Sequence, residues 1–219
     1  MPEERRNWTE QQVPVSALYD DPYFSVHDGL AESRYVFLAG NGLPEGFFPG
    51  FHIAELGFGT GLNAIVAWMA WQEAGHAGPL TFTSFEAHPM PAADRARALK
   101  AWPEIADHAQ ALTEALGEGL QADLDGLRLR IVEGFAQTTL PQWEGAADAW
   151  FLDGFNPQKN PDLWSEDLMA EVARHTRPKG RFATYTAAGH VRRSLQAAGF
   201  TVERKSGYGT KRHMTVGWL

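Results

Sequence analysis

Three alternating glycines in the run Glu55-Leu56-Gly57-Phe58-Gly59-Thr60-Gly61 separate an apolar stretch of strand character, residues 51–56, from residues 62–73, whose apolar positions recur at helical spacing. A strand that becomes a helix through glycines confines the chain to an α/β sheet with a ligand site at that turn. Glycine permits positive φ there and lets the backbone approach a ligand closely. Of two nucleotide-binding versions of the turn, the dinucleotide one is weakened and the phosphate-cradling one fails. The dinucleotide fingerprint needs a small residue where Leu62 stands, and a phosphate-cradling loop needs Gly-Lys-Ser/Thr where Gly61-Leu62-Asn63 stands.

The next strand, residues 80–85, is β-branched and aromatic and runs into Glu86, with His88-Pro89 stopping it. An acid at that strand end is placed to accept hydrogen bonds from both hydroxyls of a ribose. The alternation continues with helices expected over 91–101, 104–116, 166–175 and 191–198. Strands are expected over 127–132, 147–152 and 181–186, the last of these after the Pro178-Lys179-Gly180 turn. Residues 200–204 and 213–218 lie too close together for an intervening helix and read as an antiparallel pair. The expected fold is a doubly wound, Rossmann-like α/β sheet with an antiparallel last strand. Residues 51–219 form its domain and residues 1–50 an N-terminal extension packed on it.

The 219 residues include no cysteine, so a thiolate nucleophile, a thiolate metal site and disulfides are all excluded. The start lacks an apolar signal region and no run approaches a membrane span, so a cytoplasmic protein without a membrane partner is expected. The histidines show no metal-ligand spacing, and no metal is assigned. Trp68 and Trp71, on the helix after the glycines, read as core. The net charge of -8 is unevenly divided: residues 1–170 carry 9 Lys/Arg against 25 Asp/Glu, and residues 171–219 carry 10 against 2. The basic segment suits either a face for a phosphate backbone or scattered solvated helix faces.

Ligands of such sheets bind at the carboxyl ends of the strands. The strand over 147–152 ends in Asp153, which opens a loop with two prolines and an aromatic residue near each end, Phe155 and Trp164. The loop suits a carboxylate held at a ligand edge, although an aspartate there also caps turns.

The run Glu55 to Asn63, an acid followed by Gly-x-Gly-x-Gly, resembles the first motif of class I S-adenosylmethionine-dependent methyltransferases. Leu152-Asp153-Gly154-Phe155, the Lys159-Asn160-Pro161 step with Trp164, Lys211-Arg212-His213-Met214, Tyr23-Phe24-Ser25 and the stretch 28–37 extend the likeness. Together they resemble the tRNA 5-methylaminomethyl-2-thiouridine methyltransferases, the methyltransferase half of the bifunctional MnmC enzymes. The resemblance implies transfer of a methyl group from S-adenosylmethionine to the aminomethyl nitrogen of 5-aminomethyl-(2-thio)uridine at the tRNA wobble position. It implies cofactor contacts from Glu55, Gly57, Gly59, Gly61, Asn63, Glu86, Gly134, Phe135 and Asp153. Asp153 is also the expected catalytic residue, holding the acceptor amine; with an ordinary carboxylate pKa near 4 it would orient the amine rather than deprotonate it. Phe155 is a candidate to pack against the uracil or the methyl donor, or else a core residue. Lys159, Lys211 and Arg212 are candidates for phosphates of the anticodon region.

Two features depart from the family. Gly134-Phe135-Ala136 stands where Gly-Asp-Ala is usual, so no side-chain carboxylate is available for the adenine amino group. The chain ends at Leu219 without a second glycine fingerprint, so a stand-alone methyltransferase without the flavin oxidase half is expected. A methyltransferase on another amine or RNA, or a non-catalytic S-adenosylmethionine- or RNA-binding module, is the alternative.

Overall fold

A computed structural model describes residues 4–25 and 28–219. The chain opens with three short strands, β1 (Arg6–Trp8), β2 (Pro14–Ser16) and β3 (Asp21–Pro22), paired as an antiparallel sheet. A helical segment follows, beginning with α1 (Gly29–Ser33) and continuing through wider and tighter turns to Asn41. It was not anticipated, although Asp28 marks its start: the Asp28 carboxylate accepts the Ala31 N–H at 2.9 Å, an N-cap.

The rest alternates β4 (His52–Leu56), α2 (Leu62–Ala74), β5 (Leu80–Glu86), α3 (Ala92–Leu99), α4 (Ala106–Leu116), β6 (Gln121–Leu124), β7 (Leu127–Glu133) and α5 (Ala136–Thr139). Then come β8 (Ala147–Leu152), α6 (Glu166–Arg174), β9 (Thr176–Thr184), α7 (Gly189–Ala197), β10 (Thr201–Ser206) and β11 (His213–Trp218). The eight later strands form one sheet in the order β10-β11-β9-β8-β4-β5-β7-β6. Strands β7, β5, β4, β8 and β9 pair in parallel, and β11 inserts antiparallel between β9 and β10, as expected of a doubly wound sheet with an antiparallel last strand.

Alternation along the central strands feeds two cores. Ile53, Ala149 and Phe151 pack with α2 and α4 on one face, whereas Ala54, Leu56, Trp150 and Leu152 pack with α6 and α7 on the other. Trp68 and Trp71 are buried in the first core. The edge strand β10 carries Glu203, Arg204 and Lys205 exposed, a charged border that discourages pairing with another chain.

Two local readings change. Strand β6, unassigned in the sequence, forms a hairpin with β7 across Asp125-Gly126, with Gly126 at φ +82. The Asp-Gly pair is a strong hairpin signal, and the Asp125 carbonyl accepts Trp68 Nε1–H at 2.7 Å. The turn expected before residue 181 lies inside β9 instead. Pairing jumps from Ala147–Thr176 to Ala149–Arg181, and Lys179 adopts φ +66, so residues 177–180 form a bulge that a single-strand reading takes for a turn.

Beside that bulge, His52 sits at the start of β4, with Nε2 at 2.9 Å from Thr83 Oγ1 and its ring edge-on to Trp143. Burial, helped by the Arg177 charge, pushes its pKa from 6.5 down to about 4, against a hydrogen bond to the Ala146 carbonyl. A depressed histidine is neutral in the fold but takes up a proton when unfolded. Its contribution is therefore complete above pH 6.5 and is lost as pH falls from 6.5 to about 4. The loss amounts to about 3 kcal/mol at the acid end. Urea midpoints measured against pH should fall steeply over this interval in the wild type and less in His52→Gln; parallel curves would contradict the assignment.

Candidate active site

A cavity of about 380 Å³ opens where the carboxyl ends of β4, β5 and β8 meet. The chain turns one way from β4 to β5, while β8 lies on β4's other side; at such a switch the loops diverge and leave a crevice. The Leu56–Leu152 register brings the glycine turn and the Asp153 turn to one height. Gly57 has φ +83, and a Cβ placed on it would lie 3.4 Å from Gly154 Cα. Gly59, at φ +54, faces the Tyr23 ring. Gly61 takes φ +83 and starts α2 without a side-chain cap, and it packs against the Phe58 ring rather than lining the cavity.

Glu86 closes β5 at the cavity. Its Oε2 accepts Gly59 N–H at 3.0 Å and its Oε1 accepts His88 N–H at 2.8 Å. A carboxylate oxygen has two lone pairs, so each retains one for a ligand hydroxyl. Positive-φ glycines facing an acid that can accept two hydroxyls fit the ribose and amino-acid portions of S-adenosylmethionine, which has no pyrophosphate to anchor.

A chain of polar side chains runs beneath this floor. Ser84 Oγ donates to Glu55 Oε2 at 2.6 Å, and Asn63 Nδ2 donates both to Glu55 Oε1 at 2.9 Å and to Asp153 Oδ2 at 2.8 Å. Asn63 Oδ1 accepts from Ser33 Oγ at 2.5 Å. Glu55 is fully buried, and its carboxyl is pushed well above the ordinary carboxylate range by burial, opposed by the Ser84 and Asn63 hydrogen bonds. Expected among the cofactor contacts, Glu55 lies instead below the cavity wall and acts on it through Asn63.

Asp153 does line the cavity. Its pKa is raised from 3.8 to about 6, first by burial and also by Glu32, while the Gly154 N–H, Asn63 and Lys211 act in the other direction. This corrects the ordinary value near 4 assumed from sequence. Desolvation requires the folded surroundings, and the higher value makes Asp153 a better proton acceptor than expected.

The N-terminal segment roofs this end. Phe155 stacks on Tyr19 with centroids 4.8 Å apart and meets Tyr23 edge-on at 5.1 Å. Tyr23 hydroxyl donates to Glu4 Oε2 at 2.7 Å. Lys159 lies 3.5 Å from the carboxylates of both Asp20 and Asp21, and Asp21 Oδ2 accepts the Asn156 N–H at 2.8 Å. Lys159, expected at phosphates, is thus a clasp between the Asp153 loop and the N-terminal turn.

Of the residues expected from sequence, the cavity gathers Gly57, Gly59, Asn63, Glu86, Asp153, Phe155 and Lys211. Gly134 and Phe135 stand at the neighbouring strand end without lining it; Phe135 is 45 % exposed and edge-on to His88. Arg212 is exposed and lies outside the cavity. Lys211 points inward, with Nζ 2.7 Å from Glu32 Oε1 and 4.1 Å from the centre of the Tyr185 ring. Glu32, Ser33 and Tyr185 were not singled out from sequence. Their signal is purely spatial, since α1 and the end of β9 converge only in the fold. Among the described residues no helix is long and apolar enough to cross a membrane.

A family model described as S-adenosyl-L-methionine-dependent methyltransferase matches residues 99–219. The chain is 46% identical, over 96% of its length, to the tRNA 5-methylaminomethyl-2-thiouridine biosynthesis bifunctional protein MnmC of Pseudomonas aeruginosa strain UCBPP-PA14, covering 34% of that protein. It is 44% identical to the protein of the same name from Caulobacter vibrioides, covering 96% of this chain and 37% of that one. The chain thus spans about a third of the length of these curated relatives. Among solved structures, MNMC2 from Aquifex aeolicus superposes with a TM-score of 0.81 at 25% identity, covering 99% of this chain and 70% of that one. TrmN from Thermus thermophilus shares the fold at a TM-score of 0.52 and 19% identity, covering 83% of this chain and 46% of that one.

Proposed function

We infer what this chain does from what it is: it belongs to the S-adenosyl-L-methionine-dependent methyltransferases. We propose that its acceptor is the aminomethyl nitrogen of 5-aminomethyl-(2-thio)uridine at the wobble position of a tRNA, and that the product is the 5-methylaminomethyl derivative. The observation that carries this reading is the half-buried Asp153 carboxylate lining the cavity beside the glycine turn. Its support is the identity along almost the whole chain to proteins named for 5-methylaminomethyl-2-thiouridine biosynthesis.

S-adenosylmethionine, when bound, supplies a methyl group activated on a sulfonium. Gly57 and Gly59 allow its close approach and Glu86 would hold the ribose hydroxyls. Asp153 does the acceptor's work. Asn63 and the Gly154 N–H fix the Asp153 oxygens, leaving lone pairs for the N–H groups of a neutral amine. As the nitrogen acquires positive charge, the carboxylate stabilises it. At about 6 the pKa of Asp153 is still about four units below that of an alkylamine, so Asp153 relays the departing proton rather than keeping it. In the same reading residues 1–50 are an extension that roofs the domain of residues 51–219, Phe135 offers its exposed ring toward the adenine side, and Arg212 contacts anticodon phosphates in the cytoplasm.

The test is transfer of labelled methyl from S-adenosylmethionine to tRNA carrying 5-aminomethyluridine at the wobble position, beside tRNA lacking that group. Label on the first alone is expected; label on neither, with the cofactor still bound, would refute the acceptor.

A further inference from the structure

Glu32 and Lys211 place an acid and a base side by side in the cavity wall. Their charged atoms are 2.7 Å apart, with the side chains 11% and 41% exposed respectively. Both are tied to Asp153 by short, specific connections. Glu32 precedes Ser33, whose hydroxyl donates to Asn63, which in turn donates to Asp153. Lys211 Nζ lies over the Tyr185 ring, and the Tyr185 hydroxyl donates to the Gly154 carbonyl at 2.9 Å. The fields of both charges reach the Asp153 carboxyl. Holding one ion pair from two sides is more than a surface pair needs, and surface pairs contribute little stability.

Resting on the acceptor assigned above, we propose that Lys211 and Glu32 read the edge of the target base and select uracil over cytosine. With the aminomethyl nitrogen at Asp153, the ring atom beside C5 is C4, bearing the O4 acceptor, and next comes the N3–H donor. An ammonium followed by a carboxylate offers the matching donor and acceptor. The ion pair need not break, because the ammonium has three N–H groups and the carboxylate has lone pairs on both oxygens. Cytosine reverses the pattern, with an amino donor beside C5 and an unprotonated N3. It would set donor against donor and acceptor against acceptor. Reading a displaced base along this edge is how proteins commonly identify an unstacked nucleotide. Lys211, nominated from sequence for a phosphate, is thereby a specificity-determining residue, with Glu32 as its counterpart.

The experiment compares stem–loop RNAs carrying 5-aminomethyluridine or 5-aminomethylcytidine at the same loop position, with wild type, Glu32→Gln and Lys211→Met. The readouts are kcat/KM for each RNA and the Kd of S-adenosylmethionine, which also reports folding. Wild type should prefer the uridine by about 100-fold, within the discrimination expected of a two-point base contact. Both variants should reduce that preference to below about 5-fold, with cofactor affinity within about 3-fold of wild type. An unchanged preference in both variants would overturn the edge reading while leaving the reaction standing. A loss seen wholly as weaker cofactor binding would overturn it too, placing the pair at the amino-acid end of S-adenosylmethionine. Wild type active on neither RNA, with cofactor bound, would refute the acceptor assignment and the edge reading with it.

Discussion

Replacing Asp153 by Asn is expected to lower kcat for methyl transfer by about 1,000-fold, within the range lost when a positioned proton acceptor is removed. The Kd of S-adenosylmethionine should stay within a few fold. The size follows from three coincident losses. Asparagine keeps the shape but not the charge that stabilises the nitrogen as it becomes cationic. Its amide nitrogen also cannot accept an N–H, and one of its two polar atoms must face the Asn63 amide that now bonds Asp153. The pH profile supplies a second readout. Because burial raises the pKa of Asp153 to about 6, the wild-type rate should fall as pH drops through 6, where the carboxylate becomes protonated and loses its acceptor capacity. The residual activity of Asp153→Asn should lack that limb. Unchanged turnover, or a wild-type limb near pH 4, would remove Asp153 from the role assigned to it.

Gly57→Val is expected to weaken S-adenosylmethionine binding by at least about 100-fold, which corresponds to about 2.7 kcal/mol. Two costs combine. The residue is held at φ +83, a left-handed conformation that a β-branched side chain adopts only under strain. A Cβ alone would rest at ordinary contact, 3.4 Å from Gly154 Cα and 3.5 Å from Gly154 N, so the added methyl groups of valine must drive the glycine turn away from the Asp153 turn. The cofactor site depends on that spacing. Gly57→Ala carries the backbone strain without the wedge, and should lose only about tenfold. Calorimetric titration of both variants, with melting temperatures as a check on folding, separates the two costs. Normal binding by the valine variant would mean that the close approach of the turns is not used.

Several parts of this molecule are local properties of the sequence. The glycine turn, the strand over 80–86 with its terminal acid and the apolar strand ending in Asp153 are legible because hydrophobic period and turn chemistry act over a few residues. The antiparallel pairing of residues 201–206 with 213–218 is legible because the intervening segment is too short for a crossover. The ribose role of Glu86 followed from its place at a strand end, whereas the role of Asp153 in holding the amine came only with the resemblance.

Other properties arise where distant segments meet. The Asp125-Gly126 hairpin escaped because a four-residue strand such as β6 becomes evident only beside its partner. The 177–180 bulge escaped because Pro and Gly signal a turn and a bulge alike. Lys159 reads as a free cation until Asp20 and Asp21 are brought beside it. By itself the sequence determined the α/β class, the glycine turn and the identity of the acids at the strand ends, because periodicity and backbone conformational preference are written residue by residue. Only the tertiary structure decided that Glu55 is sealed beneath the cavity, that burial pushes the Asp153 pKa up to about 6, and that Glu32 and Lys211 meet side by side in the cavity wall. Burial and electrostatic coupling depend on which atoms exclude water from which, and that is settled only when the sheet has assembled.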